Sequence, residues 1–214
     1  FLPAIIITWL VAGTLDFQQG GIFPEQTPIA LLSLLLVLFV FGVAKAAVMP
    51  FHRWLPAAMV APTPVSALLH AVAVVKAGVF SLIKILVFIF GLDTLQQIPV
   101  SDYLLYLAGA GVVLASLIAM RQDNLKARLA YSTISQLGYI TVGVLLAVES
   151  GVMGSAMHIA THALGKITLF FCAGAILVAS HKSEISSMVG LGRSMPITMT
   201  AFFIASLSII GLPP

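Results

Sequence analysis

His158, His162 and Lys166 lie four residues apart inside an otherwise apolar run from about Val152 to Ala179, in the segment MHIATHALGKITLF (Met157–Phe170). At helical spacing, positions i, i+4 and i+8 share one face. A run of that length suits a membrane crossing, because a helix needs about 20 residues to span a ~30 Å hydrocarbon core. A lysine in mid-bilayer costs ~2.5–3.5 kcal/mol on insertion scales, so it is rarely idle. A fold that contains this segment must give the amine an interior partner or a wet path.

Composition makes the membrane reading general. Of 214 residues, 60% are hydrophobic and only 8% are charged, against roughly 25% charge in a soluble domain. The fold class expected is all-α, a polytopic transmembrane helix bundle. The single cysteine, Cys172, excludes a disulfide within the chain. The net charge of +3 does not point to nucleic acid, because its distribution follows membrane topology. Both ends look cut, since Phe1–Val11 is already apolar and Pro213–Pro214 follows an apolar run directly. A fragment of a longer chain is expected.

In order, Phe1–Val11 reads as the tail of one span and Ala12–Pro28 as a loop. Ile29–Pro56 is apolar but interrupted by Gly42, Lys45, Pro50, His52 and Arg53. Val65–Phe90 reads as a span carrying His70, Lys76 and Lys84, and Gly91–Asp102 as a loop. Tyr103–Met120 is an uncharged span and Arg121–Arg128 a charged turn. Leu129–Val148 and Gly151–Ala179 are spans, Ser180–Met195 is a loop, and Pro196–Leu212 begins a last span. Alternate loops carry Asp16 and Glu25, then Asp93 and Asp102, then Glu149, with no Lys or Arg. The other loops hold Arg53, then Arg121, Lys126 and Arg128, then Lys182 and Arg193. Six of the ten basic residues thus share one face. The positive-inside rule makes that face cytoplasmic, in a multi-pass protein of the cell inner (plasma) membrane.

Three lysines lie deep in apolar segments: Lys45, Lys76 and Lys166. Burial favours the neutral form of an amine, which lets a lysine exchange a proton near neutral pH. With His158 and His162 they form a candidate proton or cation relay. The structural alternative is that the histidines only bond neighbouring helices and Lys166 is paired for packing. Zinc is a poor fit, because a metalloprotease helix needs Glu directly after the first His and Ile159 stands there. Lys84 lies near the end of its span and is read as snorkelling to the interface. Gly42 and Pro50 around Lys45 predict a broken or kinked helix, since proline removes a backbone donor. Unwound backbone at membrane depth is tolerated where it is buried or lines a cavity, and discontinuous helices are where transporters place ions. His70, Ser132, Ser135, Gln136 and Tyr139 are candidates for a supporting polar path. Ser132, Ser135 or Gln136, and Tyr139 fall on one helical stripe that either orders water or glues helices together. No nucleotide loop, redox cysteine motif or haem signature occurs, so no cofactor is expected.

HRWLPAAMVAPTPVSALLHAVAVVKAG (His52–Gly78), DNLKARLAYSTISQLGYI (Asp123–Ile140) and MHIATHALGKITLFFCAGAI (Met157–Ile176) resemble the antiporter-like proton-translocating family. That family comprises the large membrane subunits of respiratory complex I, their hydrogenase-linked relatives, and the large subunits of Mrp-type cation/proton antiporters. The stretches Phe41–Gly78 and Phe170–Arg193 look most similar to the D-type large subunit of the Mrp antiporters. The resemblance implies an inverted-repeat antiporter fold with two broken helices, one around Gly42–Pro50. Residues 1–214 would be the central part of one antiporter-like transmembrane domain. By motif, Lys45 resembles the lysine of the first broken helix, whose glutamate partner would lie before Phe1. Lys76 resembles the lysine of the next helix on a central polar axis, and Lys166 with His162 and His158 the relay after it. The implied function is proton translocation in a multisubunit monovalent cation (Na⁺ or K⁺)/proton antiporter. The alternative is a non-redox, proton-pumping subunit of a NADH-quinone oxidoreductase or membrane-bound hydrogenase. The implied partners are other membrane subunits, protons, monovalent cations and the lipid bilayer, and no nucleic acid.

Overall fold

Proline and glycine set most of the helix boundaries in the computed structural model, which describes residues 1–69 and 73–212. Helix α1 (Leu2–Ala12) ends at Gly13, whose left-handed backbone (φ 72°) closes it. Helix α2 (Ile29–Gly42) follows Pro28 and stops where the expected break begins. Two short helices come next, α3 (Trp54–Ala57) and α4 (Thr63–Ala67). They are followed by α5 (Val74–Ile85), α6 (Leu92–Gln97), α7 (Pro99–Arg121) and α8 (Leu125–Leu145). The chain then forms α9 (Glu149–Ser180), α10 (Leu191–Ser194) and α11 (Pro196–Ile210). Pro99 and Pro196 open their helices at the first turn, where a missing N–H costs nothing. Among the described residues there is no strand, only the bridge between Asn124 and Glu184. The fold is all-α and polytopic, as expected.

Among the described residues two helices, α7 with 23 residues and α9 with 32, are long and apolar enough to cross a membrane. At 1.5 Å per residue α9 runs to ~48 Å, longer than the hydrocarbon core. Its outer face carries Met153, Met157, Leu164, Phe171 and Val178, all exposed, the pattern that lipid accepts and water does not. Helix α8 packs between α7 and α9 and also meets α3 and α5, while α11 lies on α9. Close approach of α8 to α9 depends on Gly143 and Gly151. A Cβ on Gly143 would collide with the Ser155 side chain, and one on Gly151 with the Gly143 carbonyl. Small residues at such a crossing let backbones meet in lipid.

The break after Gly42 is a folded corner. A 3₁₀ turn at Ala44–Ala46 leads to Ala47 in the left-handed region (φ 53°), a cis Met49–Pro50 bond and then α3. The Trp54 indole N–H donates to the Ala44 carbonyl at 3.1 Å, satisfying a group that an unbroken helix would have paired. A Cβ on Gly78 would strike the backbone of Lys45 and Ala46, so glycine lets α5 lie directly against this corner. The expected single span Val65–Phe90 is helical over most of its described residues. Thr63–Ala67 and Val74–Ile85 are α-helical, with residues 70–72 between them outside the described residues, and α5 continues into a π turn at Leu86–Phe90. The expected loop Gly91–Asp102 is helical in large part, because Leu92–Gln97 forms a turn and a half and Pro99 starts the next helix.

The two ends of the bundle separate the loops by charge. At one end, Leu125 N–H donates to Ser183 O at 3.0 Å and Ile185 N–H to Asp123 O at 2.9 Å. Lys126 Nζ donates to the Ala61 carbonyl at 2.7 Å, bringing the third basic segment alongside. At the other end, the loop before α2 lies on the π turn, with Gln18 N–H donating to Phe88 O at 3.2 Å and Ile22 N–H to Ile89 O at 3.0 Å. Asp123 fastens the basic end. Its carboxylate accepts from the Ser186 hydroxyl at 2.6 Å and the Ser186 N–H at 3.0 Å, which holds its pKa below the ordinary value of 3.8.

Two outcomes follow from this packing. Gly143→Val should cost ~1–3 kcal/mol through overpacking at the α8–α9 crossing, read as loss of the assembled subunit on native gels while Gly109→Ala, with open space around it, assembles normally. The Asp123 clasp contributes stability above the ordinary carboxylate value and loses it as the pH falls through the depressed folded value. Hydrogen exchange should therefore show the Ser186 amide protected at neutral pH in the wild type, unprotected there in Asp123→Ala, and unprotected in the wild type only in strong acid.

Candidate functional site

The polar groups of α8 and α9 meet because both helices turn their few hydrophilic side chains toward each other. Lys166, completely buried, donates to the Ser132 hydroxyl at 2.8 Å and to the Leu129 carbonyl at 3.3 Å. One turn earlier on α9, His162 is 1% exposed and its Nδ1 is hydrogen-bonded to Nζ of Lys76 on α5, itself 6% exposed. That pair has two arrangements of one proton, with the amine or the ring nitrogen as donor. The other ring nitrogen, Nε2, is buried with no hydrogen-bond partner among the described residues. His158, half-buried one more turn away, shares a 2.7 Å hydrogen bond between its Nε2 and Oε1 of Gln136. The two histidine rings are 5.8 Å apart between centroids and inclined by 31°. Tyr139 lies against His158 at 6.5 Å.

The row lies between two cavities. A larger one, about 1060 Å³, is lined by Ser132, Gln136, Tyr139, His158 and His162, and extends past Gly143 and Gly151 to Ser208–Leu212. A smaller one, about 290 Å³, is lined by Ser116, Ser132, Ser135, Gln136 and Arg128. Ser132 and Gln136 therefore wall both. The smaller cavity faces the basic end of the bundle and the larger one extends toward the acidic end. At ~30 Å³ per water, each has room for several waters, in contact with hydroxyls in both and with histidine rings in the larger.

The expected residues do not all join this row. Lys76, His158, His162 and Lys166 are brought together with Ser132 and Gln136. Ser135 turns to α7 instead, where its hydroxyl is 2.9 Å from that of Ser116. Lys45 is exposed on the 3₁₀ turn at the corner and does not contact the row. The backbone of that turn lies against Gly78, and the Trp54 indole N–H donates to the Ala44 carbonyl. His70 lies outside the described residues. Sequence reading missed Ser116, Thr161 and Ser208, which line the cavities. Thr161 directly precedes His162, a signal that was available. Ser116 stands alone in the middle of an apolar span, and Ser208 follows Ser206 in another, without the spacing to a titratable group that would have marked them. Among the described residues no group of His, Cys, Asp and Glu could hold a metal ion.

Fold and row together define a polytopic membrane protein with titratable side chains joined through its interior. All of residues 1–214 match the NADH:quinone oxidoreductase/Mrp antiporter transmembrane family, and the chain belongs to that family. Among relatives, subunit 5 of the chloroplast NAD(P)H-quinone oxidoreductase of Glycine max is 36% identical over 230 residues, covering 100% of this chain and 30% of the relative. NADH-ubiquinone oxidoreductase chain 5 of Metridium senile is 38% identical over 216 residues, covering 100% of this chain and 34% of the relative. Among solved structures, the Mrp complex from Dietzia sp. DQ12-45-1b matches with a TM-score of 0.87 and 35% identity, over 100% of this chain and 23% of that one. The membrane-bound sulfane sulfur reductase, an archaeal respiratory membrane complex, matches with a TM-score of 0.84 and 30% identity, over 99% and 43%. The chain thus spans about a third of the length of the curated relatives it matches.

Ser132 is the only side chain that bonds Lys166 among the described residues. Hydrogen bonds to charged groups contribute ~1.5–3 kcal/mol. Ser132→Ala should therefore destabilise the assembled subunit by about that amount, and Ser132→Thr should restore most of it; both are read from thermal unfolding of the complete complex.

Proposed function

We propose that residues 1–214 form the central part of one antiporter-like transmembrane domain and conduct protons through it. The observation that supports this reading is the buried row itself. Lys76–His162, His158–Gln136 and Lys166–Ser132 lie side by side, with a cavity toward each end of the bundle. In this reading a proton is exchanged within the Lys76–His162 pair. It passes by the free ring nitrogen of His162 and by water toward His158 or Lys166. Ser132, Gln136 and Tyr139 orient the water, and Ser135 with Ser116 lines the branch toward the basic end. Lys45 serves as the outlying member, at the corner where α2 is interrupted, and His70 as a supporting group on the strength of motif resemblance. The basic end faces the cytoplasm or its organellar equivalent; given the chloroplast relatives, the membrane need not be the plasma membrane.

Two couplings use the same row, and each has its own support. Pumping driven by electron transfer elsewhere in a NAD(P)H-quinone oxidoreductase-like complex is supported by relatives named subunit 5 and chain 5. Exchange of protons for Na⁺ or K⁺ is supported by likeness to the Mrp complex over the whole chain. The relatives' names favour a subunit-5-like protein over the D-type Mrp protein suggested by the motifs. Other membrane subunits of the same complex are the partners in either case, and the row requires no cofactor.

The test uses the full-length subunit with its complex in everted vesicles. Wild type should show a ΔpH that collapses on Na⁺ or K⁺ addition, or one that forms only with an electron donor. The first outcome assigns antiport and the second redox-driven pumping. Lys166→Ala and Lys45→Ala should each abolish the response while the complex still assembles. Normal proton movement in both variants would refute the relay.

A further inference from the structure

Lys84 is a cation that the row does not use. It lies six residues before the end of the π turn, ~9 Å along a helix axis, toward the end of the bundle that carries Asp16 and Glu25. Snorkelling would carry its ammonium freely into water. Instead Nζ is held over two rings, 4.6 Å from the centroid of Phe17 and 4.5 Å from that of Phe88. Phe17 belongs to the loop that folds onto the π turn, so the backbone bonds Gln18–Phe88 and Ile22–Ile89 build this box. Among the described residues the ammonium has no carboxylate partner.

Beside it is an apolar groove of about 340 Å³, separate from both cavities of the row, whose walls include Ile5, Phe39, Phe80 and Ile89. Its few polar side chains are Lys84, the half-buried Ser81, and Thr8. Thr8 is completely buried, and its Oγ1 has no hydrogen-bond partner among the described residues. An oily slot with a cation in its lining that no carboxylate neutralises matches a molecule with an alkyl chain and an anionic head.

We propose that this groove holds an anionic phospholipid, with an acyl chain between α1, α2 and α5 and the phosphate at Lys84. Charge selects the head: a lone cation attracts an anionic lipid over a zwitterionic one. The aromatic box keeps the ammonium at the groove mouth, where cation–π contacts hold it without neutralising its charge. The lipid would seal the outer wall of the α2–α5 corner, next to the helix that carries Lys76.

The test uses the complete complex with the full-length subunit, in nanodiscs of phosphatidylcholine containing a small share of phosphatidylglycerol with a diazirine on its acyl chain. After irradiation, labelled peptides are mapped by mass spectrometry. Label is expected on the segments containing Ile5, Phe39 and Phe80. It should fall about five-fold in Lys84→Gln and disappear in Ser81→Trp, which fills the groove but keeps the lysine. A diazirine phosphatidylcholine should label the wild type about five-fold less than the phosphatidylglycerol. Equal labelling by the two lipids would overturn the proposal, as would unchanged labelling in Lys84→Gln. Absence of label from the wild-type groove would also overturn it, because protein then fills the slot. The headgroup comparison needs no variant, so a substitution that blocks assembly leaves the proposal decidable.

Discussion

Three amine or imidazole side chains buried in an apolar bundle dictate much of what surrounds them. Lys76, His162 and Lys166 are each at most 6% exposed, and no carboxylate lies within pairing distance of them among the described residues. An isolated buried charge is prohibitively costly in a low-dielectric interior. The bundle meets that constraint with neutral partners. Lys166 takes a hydroxyl and a backbone carbonyl from α8, and Lys76 takes a ring nitrogen from α9. Neutral partners hold a protonated and an unprotonated amine on more equal terms than a carboxylate would. A structural ion pair would have fixed the proton in place.

That requirement explains why α8 is central. It contributes Leu129 O, Ser132 and Gln136 to α9 on one side, and Ser135 to Ser116 of α7 on another. To do so it must approach α9 closely, which Gly143, Gly151 and Ser155 permit; Ser155 itself donates to the Ile140 carbonyl at 3.0 Å. Lys76 reaches the same place because Gly78 lets α5 lie on the backbone of the corner after Gly42. The broken helix thus acts on the site indirectly. It sets the position of α5, while its own lysine stays outside the row.

The apolar and polar duties of the helices are divided by face. Outward positions of α7 and α9, such as Tyr106, Val113, Leu164 and Val178, are exposed and apolar or aromatic. Inward positions carry the hydroxyls and titratable groups. The loops follow the same division, with basic segments tied to one another at one end through Asp123, Ser183 and Ala61. Lys84 fits neither the row nor the basic end. Its ammonium lies over Phe17 and Phe88.

Much of this was legible in the sequence. Apolar runs of about 20 residues require helices in a bilayer because every backbone polar group must be satisfied internally. The spacing of His158, His162 and Lys166 put them on one helical face. Gly42 and Pro50 marked the break. What the sequence could not decide was which helix each polar group would face. Lys76 is 86 residues from His162, and nothing local to either encodes that contact. Ser135 and Gln136 are adjacent on the chain, yet a ~100° helical step sends one to α7 and the other to α9. Lys45 looked like Lys76 and Lys166 as a lysine in an apolar run, and the structure places it on the corner rather than in the row. Periodicity determines faces; the neighbour that a face meets is set by glycine-permitted helix crossings between segments far apart in the chain.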